Sequence, residues 1–311
     1  MPDTASPRLI FHIGMGKTGT TAIQRALNRS ERRGSLARQG VRYLGSAFGF
    51  LGPSYKGGQG TFSSIVQESD ARQSAIAAEI QSYLDRSAAE ERLDTFIFSN
   101  ERSLGADRLI YPFADALVER VPETTFLITL RRPLPWIISA YKQWGVKDIQ
   151  KAGAIKGFSD AARNIIRRYR PVVAWLEKYP DRTETIFVEE GGDMVELFSS
   201  RFGVDLERIE RTHESPEPAE LLLRALFNDR IRGPASPKEF REAIRLGPHM
   251  PRPTRIDEML DRISDYSSAD EIVRSEADTF RRIGEVAGVD LYSDPGTVPP
   301  AIDRDQTRDR L

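Results

Sequence analysis

Cysteine is absent from all 311 residues. That one absence removes disulfides, thiol nucleophiles and thiolate metal sites together, and it agrees with a reducing compartment. Histidine occurs three times. His12 reads as a core residue of a first strand, while His213 and His249 stand in Pro-flanked, loop-like contexts away from other ligand types, so no metal is expected. A dominant charge is also missing. Lys and Arg number 45 against 46 Asp and Glu, for a net charge of −1, which leaves no global electrostatic case for nucleic acid or a membrane surface. No apolar stretch approaches the roughly 18 residues of a spanning helix. The opening MPDTASPR has no apolar core of the kind a secretory signal carries. These absences predict a cytoplasmic globular protein with neither nucleic-acid partners nor stable membrane insertion.

What is present is an alternation of strand and helix patterns. "RLIFHI" (8–13) is a short apolar, β-prone run, and from Thr20 to Arg29 the apolar residues Ala22, Ile23, Ala26 and Leu27 fall at helical spacing. "GVRYLGS" is a weak strand. Residues 45–62 are rich in Gly and aromatics and read as a long loop, a lid or an acceptor wall. Helices are predicted over 68–86 and 107–120, and strands over 94–101, 124–132 and 183–190. Pro133 suits the first turn of a helix, and 159–179 reads as one further helix despite Pro171. After Glu210 only helical patterns remain. The tail from 291 is Pro-rich and polar and reads as mobile. The expected architecture is α/β, a P-loop-like three-layer fold around a central parallel sheet. It comprises one domain over 1–290, with a sheet core over about 8–205, a helical C-terminal appendage over about 206–290, and the tail 291–311.

Between the first strand and the first helix lies Gly14-Met15-Gly16-Lys17-Thr18-Gly19. It satisfies the glycine spacing of a dinucleotide loop, but the acid that reading needs at the end of the second strand is missing. Gly16-Lys17-Thr18 also resembles the end of a nucleotide triphosphate loop. Phe11 stands where that pattern wants its first glycine, and no magnesium-binding Asp closes a later strand. A third reading takes Lys17-Thr18-Gly19-Thr20-Thr21 as an anion cradle made of helix-start N–H groups, Thr hydroxyls and one Lys. A second anion site fits "LRRPLPWIISAYKQW". There Arg131 ends a strand and Ser139 lies about two turns, ~9 Å, into the next helix, so that a forked guanidinium and a hydroxyl are available to one phosphate.

Together, "HIGMGKTGTT" and "RRPLPWIISAY" resemble the 5′-phosphosulfate and 3′-phosphate motifs of sulfotransferases that use 3′-phosphoadenosine 5′-phosphosulfate (PAPS). The likeness runs over about residues 8–230 and is nearest to the bacterial and carbohydrate-type branch. It implies a sulfuryl transfer to a hydroxyl or amine of a small-molecule or carbohydrate acceptor, with 3′-phosphoadenosine 5′-phosphate (PAP) as product and no metal. It implies that Gly16, Lys17, Thr18, Gly19, Thr20 and Thr21 hold the 5′-phosphosulfate and that Arg131 and Ser139 hold the 3′-phosphate, with Arg132 as the alternative contact. Lys17 would neutralise charge on the leaving phosphate oxygen. The resemblance also implies a general base just after the strand in "FIFSNERS", which is Glu101. Two rival readings remain: a kinase-like P-loop phosphotransferase and a nucleotide-binding module without catalysis.

Overall fold

The structure is a computed structural model that describes residues 6–56, 61–148, 154–190, 193–208, 217–229, 256–299, 302–303 and 307. In chain order its main elements are β1 (Arg8–His12), α1 (Thr20–Arg32), β2 (Val41–Gly45), α2 (Phe62–Ile65), α3 (Asp70–Glu91), β3 (Thr95–Ser99), α4 (Tyr111–Arg120), β4 (Thr124–Leu130), α5 (Pro133–Ala140), a π-helical segment (Tyr141–Lys147), α6 (Phe158–Ile165), α7 (Arg170–Lys178), β5 (Thr183–Phe187), α8 (Met194–Phe202), α9 (Pro218–Asn228), α10 (Ile256–Ser264), α11 (Ala269–Arg274) and α12 (Ala277–Ala287). They fall into two compact units. One holds residues 1–131 and 170–211, and the other 132–169 and 212–311.

The first unit is an α/β layer structure on a five-stranded sheet of order β2-β3-β1-β4-β5. Every strand pair is parallel. Parallel strands are covered on both faces, so their sequences are apolar throughout rather than alternating. β3 is buried at all five positions, and β4 at all but one. On one face Ile10, Ile97, Leu127 and Ile186 pack with Ile23 and Leu27 of α1 and with Phe198 and Phe202 of α8. On the other, the Phe11 ring meets Phe98 at 5.1 Å and Phe113 of α4 at 6.3 Å. There Phe126 also meets Trp175 of α7 at 4.8 Å.

This second face corrects one expectation. Residues 45–62, read from sequence as a long loop forming a lid or an acceptor wall, turn aromatics inward in their described part. Phe48, Tyr55 and Phe62 are buried, and Phe48 stacks on Phe98 at 4.9 Å. Two short 3-10 turns, Phe48–Leu51 and Pro53–Tyr55, shape the described part. The hydrophobic gain from burying rings of this size, ~2 kcal/mol or more each, outweighs the loop-like composition. The helix expected over 159–179 is likewise interrupted. A 3-10 turn at Ile166–Tyr169 separates α6 from α7. Pro171 then stands second in α7, where a missing N–H costs nothing because that position has no intrahelical acceptor.

The second unit is helical. Trp136 packs on Tyr169 at 4.8 Å, and Tyr169 on Phe280 of α12 at 5.0 Å. Asn228, buried at the end of α9, donates its amide to the Val146 carbonyl at 2.6 Å and so closes the π-helical segment. This unit takes residues 132–169 from the middle of the chain, between β4 and α7 in sequence, together with residues from 212 onward. The segment expected to be a tail from 291 also starts inside this unit. Leu291 is buried, the Leu134 N–H bonds the Pro295 carbonyl at 2.9 Å, and Arg132 pairs with Asp294 at 2.5 Å. Among the described residues no helix is long and apolar enough to cross a membrane.

Candidate functional site

Strand order sets the place of the site. From β1 the chain leaves toward β2, and from the adjacent β4 it leaves toward β5 on the opposite side. In open α/β sheets the crevice at the carboxyl ends of two such strands is where ligands bind. Residues 13–19 leave β1 at that edge, and Arg131 follows β4 at the same edge.

The loop is built from the backbone outward. Ile13 and Gly14 continue along β4, with both N–H groups on the Leu127 carbonyl at 3.0 and 3.1 Å. The chain then turns sharply. Gly14, Lys17 and Gly19 have φ of 40°, 71° and 84°. Lys17 is one of two non-glycine residues with positive φ among those described. For an L-residue this conformation costs about 1–2 kcal/mol. A Cβ on Gly19 would lie 2.5 Å from Met194 Cγ, and one on Gly14 would lie 2.8 Å from His12 Nε2. α1 begins as the Ala22 N–H bonds back to the Gly19 carbonyl at 2.9 Å, so Thr20 and Thr21 stand in the first turn, where N–H groups have no intrahelical acceptor.

Two hydroxyls hold this shape. Thr18 Oγ1 donates to the Met15 carbonyl and lies 2.6 Å from Thr129 Oγ1 of β4. Thr129 Oγ1 also accepts the Met15 N–H, at a long 3.5 Å. The three residues thus form a closed hydrogen-bonded ring. Thr18 is 1% exposed, so what it can offer a ligand is its N–H rather than its hydroxyl. Gly16 and Lys17 are half-buried, Thr20 is buried, and Gly19 and Thr21 are exposed.

The second predicted anion site divides between the units. Arg131, in the first unit, is half-buried with Nε 3.5 Å from Glu189 Oε1 at the end of β5. Ser139 lies in the second unit on α5, half-buried. Arg132 belongs to the second unit as well, paired with Asp294. Tyr141 is fully buried, and its hydroxyl donates to the Lys156 carbonyl at 2.9 Å, which makes it a packing residue. Trp136 and Trp175 are likewise buried. Trp144 is half-buried, with the Arg168 guanidinium 4.1 Å from its ring centre.

Glu101 sits just past β3, half-buried. Its Oε2 accepts from Gln24 Nε2 of α1 at 3.0 Å. The same nitrogen lies 3.3 Å from the Ser99 carbonyl and 3.2 Å from Ser99 Oγ, and Ser99 Oγ lies 2.9 Å from His12 Nδ1. His12 is wholly buried, and this desolvation pulls its imidazole down to about 4, so it is neutral at ordinary pH. Asn100 anchors the turn, its N–H on the His12 carbonyl at 2.9 Å and its side-chain amide on the Ser46 carbonyl at 2.7 Å.

Thr129, Gln24, Glu189 and Met194 were not singled out from sequence. A hydroxyl inside the apolar run "FLITL" was a signal for the first, and Gln24, four residues after Thr20, shares that residue's helix face. Glu189 and Met194 carry no comparable local mark. His213 and His249 lie outside the described residues, and among those described no three His, Asp or Glu side chains group as metal ligands would. No family model matches the chain, and no curated protein matches it. Among solved structures it is similar to a sulfotransferase from Alicyclobacillus acidocaldarius, with 18% identity, 72% of this chain and 92% of that chain covered, and a TM-score of 0.37.

Proposed function

We propose that this protein is a PAPS-dependent sulfotransferase acting on a hydroxyl or amine, with carbohydrate hydroxyls as the first acceptor class to test. The observation that supports this most is the pairing at one sheet edge. A strained, backbone-built loop with Lys17 at its turn follows β1, and a guanidinium follows the neighbouring β4. An adenosine phosphorylated at both ends needs two separate anion sites, and these residue types supply them without a metal.

In this reading the N–H groups of Gly16 to Thr21 and the Thr21 hydroxyl hold the 5′-phosphosulfate, and the Arg131 guanidinium holds the 3′-phosphate. Glu101 takes the proton of the acceptor O–H or N–H as that atom forms its bond to sulfur. The bond from sulfur to the bridging phosphate oxygen breaks, its electron pair stays on that oxygen, and Lys17 compensates the charge gathering there. The carboxylate and the cradle stand on neighbouring strands, so positioning and fixed charge supply most of the acceleration.

Calorimetry with PAP tests the reading. The wild type is expected to bind it without added divalent metal, and Arg131→Ala to bind at least tenfold more weakly, the scale of a charge-assisted pair. Equal affinity in both proteins, or binding of magnesium-ATP in place of PAP, would sink it.

A further inference from the structure

Gln24 is a polar residue on the first helix to which the transfer chemistry above assigns nothing, yet three of its contacts converge. Carbonyl and carboxylate oxygens accept and never donate, so the atom facing the Ser99 carbonyl and Glu101 Oε2 is necessarily the amide nitrogen. That nitrogen has two hydrogens for three acceptors, the third being Ser99 Oγ. With one hydrogen of Gln24 directed at Ser99, the Ser99 hydroxyl can turn its own hydrogen to His12 Nδ1, which burial keeps neutral. The fork is therefore fixed from behind by two fully buried side chains, Ser99 and His12. Glu101 Oε1 makes no hydrogen bond among the described residues, whereas Oε2 is held by Gln24. Tyr43 of β2 faces the same carboxylate. Burial first, and the Glu101 charge second, push its phenol above the ordinary value.

We propose that Gln24 is the positioning residue for Glu101: from α1, one turn beyond the anion loop, its amide grips Oε2 and turns Oε1 toward the acceptor. This rests on the sulfotransferase reading for the identity of the acceptor, but the grip itself does not. One helix then carries the start of the nucleotide cradle and the brace of the base, which fixes the spacing between donor and acceptor sites. A side chain that only packed would be replaceable by an isosteric apolar one. A side chain that positions through its N–H would not.

The test uses the full chain and three variants. In protein labelled with ¹³C at glutamate side chains, the Glu101 carboxyl resonance is identified by its loss in Glu101→Gln. In alkaline buffer it is expected to move in Gln24→Met, which keeps shape and helix propensity but has no donor, and to move back in Gln24→Lys, which restores one. PAP affinity by calorimetry is expected to stay within about twofold of wild type in Gln24→Met, while release of sulfate from PAPS to water falls on the order of tenfold at unchanged KM and recovers in part in Gln24→Lys. A Glu101 resonance identical in wild type and Gln24→Met overturns the positioning role, as does a Gln24→Met protein whose only change is weaker PAP binding. Failure of the wild type to bind PAP would instead remove the sulfotransferase reading, and the resonance would still decide the grip.

Discussion

At the edge where β1 and β4 end side by side, the chain leaves the two strands in contrasting ways. After β1 it spends seven residues in a turn shaped by positive φ at Gly14, Lys17 and Gly19, with the hydroxyls of Thr18 and Thr129 facing inward. After β4 it uses no turn at all. Arg131 leans on Glu189, and two residues later α5 has begun. The first construction offers backbone N–H groups whose direction is set by conformation, so side-chain identity matters there mostly through what φ allows. The second offers a guanidinium whose direction is set by an ion pair. Substitutions should therefore act through backbone geometry in one place and through charge in the other.

Lys17→Gly attacks that contrast most directly, because Lys17 is the one residue of the first loop whose side chain carries chemistry. PAPS turnover is expected to fall 10²- to 10³-fold, about 3–4 kcal/mol of transition-state stabilisation, while the melting temperature holds or rises as the left-handed strain is relieved. A large drop in melting temperature would mean that Lys17 supports the fold instead. The next effect concerns the ring beneath the loop. His12 titrates near 4 when folded and near 6.5 unfolded, so the unfolded chain takes up the proton first. Its contribution is whole above about pH 6.5 and is lost as pH falls toward 4, up to about 3 kcal/mol. Denaturant titrations across that range are expected to show a flatter pH dependence for His12→Phe than for wild type, and parallel curves would refute the burial argument.

Gly19→Ala comes third. Positive φ together with the approach to Met194 is expected to cost about 2–3 kcal/mol. Met194→Ala in the same chain should return part of it, a coupling that a double-mutant cycle measures. Additive effects would mean that the contact with α8 is immaterial. Thr129→Val is the mildest, about 1–2 kcal/mol from leaving the Thr18 hydroxyl and Met15 N–H short of a partner. It is expected to weaken PAP binding more than Arg131→Lys does only if the loop depends on its ring.

The parts of this fold that follow from local periodicity were readable in the residues. "RLIFH", "TFLITL" and "TETIF" are strands within three residues of expectation, and the loop between β1 and α1 declares itself by its glycines. What depended on distant partners was not readable. The aromatics of 45–62 look exposed until Phe98 and Phe113 are placed beside them. Gln24 looks like an ordinary solvated helix residue until β3 brings Glu101 to it across 77 positions of sequence. The division at 132 and 170 is equally non-local, since nothing in "RRPLPW" marks the start of a different compact unit.

The ring of Met15, Thr18 and Thr129 is made entirely of the chain's own atoms. A floppy glycine turn would have to be frozen at each encounter, forfeiting on the order of 1 kcal/mol of backbone entropy for every residue stilled. Here folding has done the freezing beforehand. On the proposed reading an arriving anion would meet a rigid socket, and amide exchange across 13–19 is expected to be almost as slow without PAP as with it.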